Sequence, residues 1–143
     1  MTTPVRSLDD FFPTYLALLQ AGDADGLGLL YAEEAVFTSI GGPQGDSWSV
    51  GRAQIVAGLA EGLRDFQVVA ETPPMTPFDI RGGTLAARLG IFEAKVRPRT
   101  GGAEIQLTVQ AFEVLTLSPT AGWQYLSDQT QVLEITTTPP RQT

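Results

Sequence analysis

The sequence predicts an α+β fold in which three N-terminal helices cover one face of an antiparallel sheet. Apolar residues in the first third recur at helical spacing, and later segments alternate between apolar and polar residues. Short turns rich in glycine and proline separate those alternating segments. The chain has 143 residues, of which 43% are hydrophobic and 17% charged, so we expect residues 1–143 to form a single domain.

The first predicted helix has one wide apolar face. Its members follow one another at intervals of three and four residues: Leu8, Phe11, Phe12, Tyr15, Leu16 and Leu19. Ser7, followed by two aspartates, is typical of a helix start, and Gly22 is typical of a helix end. Pro13 lies off the apolar face and predicts a kink or a late start of the helix.

Two further helices and a short strand are predicted before the long strands. Asp23 caps a short helix over residues 24–31, and residues 35–40 form a strand. Residues 41–49 are rich in Gly, Pro, Ser and Asp, which predicts a loop. A third helix is expected over residues 51–64. Its buried face consists of aliphatic residues at i+4 spacing: Ile55, Leu59 and Leu63.

The remainder of the chain reads as a strand meander. Strands are expected over four segments: residues 66–70, 85–96, 104–117 and 123–135. Prolines 73, 74 and 77 cannot donate to a ladder, so residues between the first two segments form an edge strand or an irregular excursion. The alternation in the third segment changes phase near Ala111 and Phe112, which predicts a bulge or bend there.

Charge and residue types exclude several functions. A net charge of −7 with scattered basic residues predicts no nucleic-acid partner. The chain has no cysteine and no histidine, which removes thiolate nucleophiles, the commonest general base and the commonest metal ligand. Gly82-Gly83 and Gly101-Gly102 precede no predicted helix, so they are turns rather than phosphate-binding loops. We therefore expect neither a metal nor another cofactor. Without a signal-peptide core or an apolar run near ~18 residues, we expect a cytoplasmic protein with no membrane partner.

Three segments, in this order, resemble the nuclear transport factor 2-like superfamily and its SnoaL-like group. Residues 15–27 are similar to the family's paired helices around a Gly-Asp step. Residues 51–55 (Gly-Arg-Ala-Gln-Ile) resemble the opening of its third helix, and residues 122–129 (Gly-Trp-Gln-Tyr-Leu-Ser-Asp-Gln) resemble its closing strand. The resemblance covers the chain from about Leu8 to Glu134.

The resemblance implies a cone-shaped, curved antiparallel sheet wrapped around three N-terminal helices, with a cavity between sheet and helices. Members use this cavity for binding or as isomerases, dehydratases, cyclases or epoxide hydrolases, and many dimerise through the open sheet face. Fold therefore does not give function. Many relatives carry histidines in the closing strand where this chain has Ser127 and Gln129, which speaks against a His-assisted mechanism.

Asp128 is the candidate catalytic residue, because it is a carboxylate in an otherwise uncharged part of the last strand. In a dry cavity its pKa would rise and it could act as a general base; alternatively it is solvated or paired with an arginine. Arg88 could anchor an anionic ligand or pair with Glu113 across the sheet.

The candidate ligand-binding residues are aromatic or polar: Tyr15, Trp48, Arg88, Gln110 and Gln129. Trp48 lies in the predicted loop, where it could cover a ligand or plug the core. Gln110 belongs to a polar stripe that could line a wet cavity, face solvent or meet a partner sheet.

Two classes of function remain open, with a third behind them. The chain binds a small apolar or ring-containing molecule without chemistry, or it is a lyase or isomerase that uses a carboxylate as base on such a substrate. A pure dimerisation module is the third. We further expect a homodimer through the sheet face, because three helices can cover only one face of the sheet.

Overall fold

The computed structural model describes residues 3–72 and 74–138, with only the backbone for residues 76–78. Its elements, in chain order, are α1 (Leu8–Ala21), α2 (Ala24–Gly28), β1 (Tyr31–Gly42), β2 (Gly45–Val50), α3 (Arg52–Asp65), β3 (Phe66–Glu71), β4 (Met75–Arg81), β5 (Leu85–Pro98), β6 (Glu104–Ser118) and β7 (Gly122–Thr138). The predicted α+β class, with helices on one side of a curved sheet, is confirmed.

The seven strands form one sheet in the order β2-β1-β7-β6-β5-β3, and β4 pairs with β5 beside β3. All pairs are antiparallel except β1 with β7, which are parallel. The β1–β7 pair is the one parallel exception in the curved antiparallel sheet that the sequence predicts. β4 occupies an edge, as the prolines allow, whereas Pro73 itself lies outside the described residues.

The helix boundaries follow the predicted caps. Ser7 accepts a hydrogen bond from the amide of Asp9, and the Asp23 carboxylate accepts one from the amide of Gly26. Gly22 ends α1 in the left-handed conformation at φ 70°. Pro13 lies inside α1, which begins at Leu8, so the helix has no late start.

The short second helix ends sooner than expected. α2 stops at Gly28, and Tyr31 already belongs to β1, where its backbone pairs with that of Tyr125. The strand predicted over residues 35–40 is correspondingly longer at both ends. Tyr31 therefore enters the sheet, a placement that the prediction of a helix over residues 24–31 missed.

The predicted loop over residues 41–49 was wrong, because most of it forms a β-hairpin. Ser39 pairs with Ser47 and Thr38 with Trp48 across β1 and β2. Gly41 and Gly45, at φ 76° and 85°, allow the tight reversal between the strands. The glycines and proline thus mark only the turn, while β2 is a polar edge strand without apolar alternation.

The predicted bulge at Ala111 and Phe112 was also wrong. The register between β6 and β7 shifts at Thr108/Val109 and again at Val114/Leu115. Between these shifts the burial of β6 alternates without interruption. The apolar/polar alternation of the sequence changes phase there because the polar Glu113 points to the buried face and the apolar Phe112 points to the exposed face.

The two faces of the sheet differ in what covers them. The inner face packs against the helices around a core whose largest fully buried side chains are Tyr31, Phe11, Leu27 and Ile55. The outer face, opposite the helices, leaves several large apolar side chains exposed: Val36, Trp48, Val50 and Phe112. Val36, Trp48 and Val50 are neighbours on the β1–β2 hairpin, because Val36 is opposite Val50 and Trp48 is opposite Thr38.

Candidate functional site

Charged residues of four neighbouring strands stand side by side in the sheet. Asp79 of β4 pairs with Arg88 of β5, Arg88 with Glu113 of β6, and Glu113 with Asp128 of β7. Glu113 and Asp128 are buried, with 6% and 4% of their surface exposed. Three acidic groups and one cation therefore form a row, of which two carboxyl groups lie in the interior.

Asp128 ends a chain of tyrosine hydroxyls. The hydroxyl of Tyr31 donates to Oδ2 of Asp128 at 2.7 Å, and the hydroxyls of Tyr15 and Tyr31 lie 2.8 Å apart. Because the proton of Tyr31 is directed to Asp128, Tyr15 must be the donor in the second bond. Tyr125 packs against both rings, with centroids 5.5 Å from Tyr15 and 5.1 Å from Tyr31.

Burial changes the protonation of this cluster. Burial, and after it the nearby Glu113 carboxylate, raise the pKa of Asp128 to about 8, against the hydrogen bond from Tyr31 and the charge of Arg88. Burial also raises the pKa of Tyr15, Tyr31 and Tyr125 well above the ordinary value. At neutral pH Asp128 is consequently a mainly protonated acid rather than a carboxylate base.

Arg88 forms a buried ion pair with Glu113. Its Nε and Nη2 atoms donate to the same Glu113 oxygen at 3.0 and 2.8 Å. Of the two interpretations of Arg88, the structure contains the cross-strand pair. Because Glu113 takes the charge of Arg88, Asp128 beside it has no cation of its own, which favours its neutral form.

Arg52 and Gln124 fix the backbone that carries Tyr31. The Nε and Nη2 atoms of Arg52 donate to the carbonyl oxygen of Tyr31 at 3.0 and 2.7 Å. Gln124 is buried and donates to the carbonyls of Leu29 and Tyr31. These bonds satisfy the backbone where the β1–β7 register is interrupted after Tyr31.

A cavity of about 320 Å³ lies between α3, the β1–β2 hairpin and the inner face of the sheet. Most of its wall is apolar: Leu19, Phe37, Leu59, Leu63, Phe66, Val68, Val96 and Leu107. Its polar wall residues are Ser39, Gln44, Ser47, Ser49 and Glu61. The cavity is thus an apolar chamber with polar groups from the hairpin and α3.

Phe37 belongs to the wall of this cavity and also contacts the Asp128 cluster. It lines the cavity, its ring centroid lies 6.2 Å from that of Tyr31, and its backbone pairs with that of Asp128. Neither Asp128 nor the three clustered tyrosines belong to the cavity wall. The cavity and the buried acid therefore both adjoin Phe37.

The structure brings three of the six predicted site residues together. Asp128, Tyr15 and Arg88 belong to one group of side chains on the inner face, here termed the inner cluster. Its other members are Tyr31, Tyr125 and Glu113. Trp48 is 68% exposed on β2, and its chain neighbours on either side, rather than Trp48, line the cavity. Gln110 and Gln129 point to the outer face, with Gln129 donating to Ser127.

Sequence reasoning missed Tyr31 and Glu71. Tyr31 fell in the predicted second helix, and only its pairing in β1 carries it to Asp128. Glu71 is the last residue of β3, and burial raises its pKa to about 7, with a further contribution from Glu113. Its position directly before the proline cluster concealed that it belongs to a strand.

A solved structure of a nuclear transport factor 2 (NTF2-like) superfamily protein from Salmonella enterica serovar Typhimurium matches this architecture. The match covers 94% of this chain and 89% of that chain, with a TM-score of 0.66 and 18% identity. The chain has the nuclear transport factor 2-like fold. The resemblance deduced from the sequence is confirmed at the level of this fold.

Other solved structures with the nuclear transport factor 2-like fold carry different functions in their names. A ketosteroid isomerase-like protein from Erwinia carotovora matches with a TM-score of 0.72 and 15% identity, covering 89% of this chain and 94% of that chain. A hexachlorocyclohexane dehydrochlorinase from Novosphingobium barchaimii matches with a TM-score of 0.69 and 12% identity, covering 92% and 87%. No protein-family model and no curated protein matches the sequence.

In residues 3–72 and 74–138, no helix is long and apolar enough to cross a bilayer. Over the same residues, no group of three or more acidic side chains is arranged to hold a metal ion.

Proposed function

We propose that the chain binds a small, largely apolar, ring-sized molecule in the 320 Å³ cavity. The observation that carries this proposal is the cavity itself, whose volume lies at the lower end of the ~300–1,000 Å³ range of ligand pockets. Its wall contains two phenylalanines, Phe37 and Phe66, and several aliphatic side chains. Burying an apolar ring against this wall would remove apolar surface from water on both partners.

Binding is favoured over acid–base catalysis by the position of Asp128. The lyase or isomerase alternative requires a carboxylate base, whereas the raised pKa of Asp128 keeps its carboxyl group mainly protonated at neutral pH. This carboxyl group also lies outside the cavity wall, although Phe37 of that wall packs against its hydrogen-bond partner Tyr31. Catalysis by Asp128 would therefore require an access path that the cavity does not provide, whereas binding requires only the cavity as it stands.

A bulky side chain at Gly58 should abolish binding. Gly58 lies on α3 in the cavity wall, and an added Cβ there meets only the Ser49 hydroxyl oxygen, at 3.6 Å. Gly58→Phe should therefore fill the cavity without straining the backbone. The neutral fluorophore N-phenyl-1-naphthylamine should bind the wild type and lose at least about tenfold in affinity in the variant, measured by fluorescence titration.

Gly58→Ala is the matched control for this titration. It changes the same backbone position but adds one methyl group, so it should bind the fluorophore with nearly the wild-type affinity. Circular dichroism should show the same secondary structure for both variants. Equal fluorophore binding by the wild type and Gly58→Phe would mean that the molecule binds elsewhere and would contradict the proposal.

We also propose that a second copy of the chain covers the outer sheet face. Phe112 and Val50 are 40% and 63% exposed there, and no helix of the described chain covers them. Light scattering should show a dimer, and Phe112→Glu should convert it to a monomer. Leu29→Glu, at an exposed position at the end of α2, should leave the dimer intact. A monomeric wild type at high micromolar concentration would rule this interface out.

A further inference from the structure

The β1–β2 hairpin turns three serines toward the cavity. Ser39, Ser47 and Ser49 line the cavity. Thr38, directly before Ser39, and Trp48, between Ser47 and Ser49, point to the outer face. Ser39 and Ser47 are directly opposite each other in the hairpin, and Ser49 is opposite Phe37. One wall of an otherwise apolar cavity thus presents a group of hydroxyls on adjacent strands.

These hydroxyls have free hydrogen-bonding capacity. Within residues 3–72 and 74–138, the side chains of Ser39, Ser47 and Ser49 make no hydrogen bond, and no buried polar side-chain atom lacks a partner. Their hydroxyl groups therefore reach open space rather than being sealed in the core. Each can donate one hydrogen bond and accept others.

The charge around the cavity selects among polar ligands. Its described wall contains no lysine or arginine, and Glu61 is its one charged residue. The whole chain carries a net charge of −7. A carboxylate or phosphate would be repelled here, whereas a neutral hydroxyl or carbonyl group could exchange hydrogen bonds with the serines.

Resting on the binding function proposed above, we propose that the ligand is a neutral ring compound with hydroxyl or carbonyl oxygens along one edge. That edge lies against the serines of the hairpin, and the apolar body lies against α3 and the inner sheet face. A compound that lacked the oxygens would leave the hydroxyls of Ser39, Ser47 and Ser49 facing a dry surface. Such a compound should bind weakly, because the serine hydroxyls would lose their hydrogen bonds to water on binding and gain none from the ligand.

Matched naphthalenes test this specificity by displacement of N-phenyl-1-naphthylamine. 2,3-Dihydroxynaphthalene, 2,3-dimethylnaphthalene and naphthalene-2,3-dicarboxylate differ at one edge of the same ring. The wild type should prefer the dihydroxy compound over the dimethyl compound by at least about tenfold and bind the dicarboxylate more weakly than either. A triple variant, Ser39→Ala with Ser47→Ala and Ser49→Ala, should lose this preference and bind the dimethyl compound at least as tightly as the wild type does.

Thr38→Val is the matched control, because it removes a hydroxyl from β1 on the outer face. It should keep the wild-type preference. A wild type that binds the dimethyl compound as well as the dihydroxy compound, or a triple variant with an unchanged preference, would overturn the hydroxyl assignment alone. Failure of the fluorophore to bind the wild type would overturn the binding function and this assignment together.

Discussion

The free energy of unfolding is expected to fall as the pH rises from about 5 to 8. Asp128 binds its proton more tightly in the folded protein, where its pKa rises from 3.8 to about 8. The pKa of Glu71 likewise rises on folding, from 4.5 to about 7. Between these values the folded state holds more protons than the unfolded chain, so raising the pH favours unfolding. Urea denaturation at pH 5 and pH 8 should differ by on the order of 6 kcal/mol, with the larger share from Asp128.

Asp128→Asn separates this effect from general charge repulsion. An asparagine keeps the shape of the side chain and cannot ionise, so the variant should lose most of the pH dependence. Glu34→Gln removes an acidic group from an exposed position and should retain the dependence of the wild type. Stability that stays constant or increases between pH 5 and 8 in the wild type would show that Asp128 is not a buried acid.

Removal of Arg88 should cause the largest loss of stability of any single substitution in the inner cluster. Arg88→Met leaves Glu113 buried without its cation, beside Asp128 on the neighbouring strand. Breaking one partner of a buried ion pair typically costs about 3–5 kcal/mol. Urea denaturation at pH 7 should show a loss of this size.

Two further variants decide whether charge is the cause. Arg88→Met combined with Glu113→Leu removes both charges and should recover most of the lost stability. Arg97→Met breaks the exposed pair with Glu104 and should cost less than about 1 kcal/mol. If the double variant were as unstable as Arg88→Met, lost packing rather than an uncompensated charge would be responsible.

The helices could be predicted because their signals are local. Ser7, Gly22 and Asp23 mark helix ends through hydrogen bonds or backbone angles that involve only neighbouring residues. The apolar spacing of α3 likewise places Ile55 and Leu63 in the core. Such features depend on a few consecutive residues, so one sequence is sufficient to identify them.

The hairpin and the site depend on pairing between distant residues. The alternation of apolar and polar residues along a strand does not reveal which strands are neighbours, so it could not show that β1 lies beside β7. The hydrogen bond between Tyr31 and Asp128, 97 residues later, could therefore not be predicted. The polar strand β2 carries no apolar signal, and Trp48 was accordingly assigned to a loop. The register of the sheet, which only the three-dimensional structure provides, decides which side chains share a face.

Asp128 could be selected from the sequence, but its chemistry could not be deduced. A lone carboxylate in an uncharged strand indicates a special position, while its protonation depends on what surrounds it. Burial together with Glu113 keeps it neutral, and Arg88 is occupied by Glu113. The candidate base of the sequence is therefore an acid at neutral pH.

The most direct test of the binding proposal is methyl NMR during titration with N-phenyl-1-naphthylamine. Methyl groups of the cavity wall report from inside: Leu19, Leu59, Leu63, Val68, Val96 and Leu107. Exposed methyl groups of the outer face serve as the reference: Val36 and Val50, which are opposite each other in the β1–β2 hairpin. We expect saturable shifts in the first set and none in the second. Shifts confined to the outer face, with an unchanged cavity, would contradict the proposal.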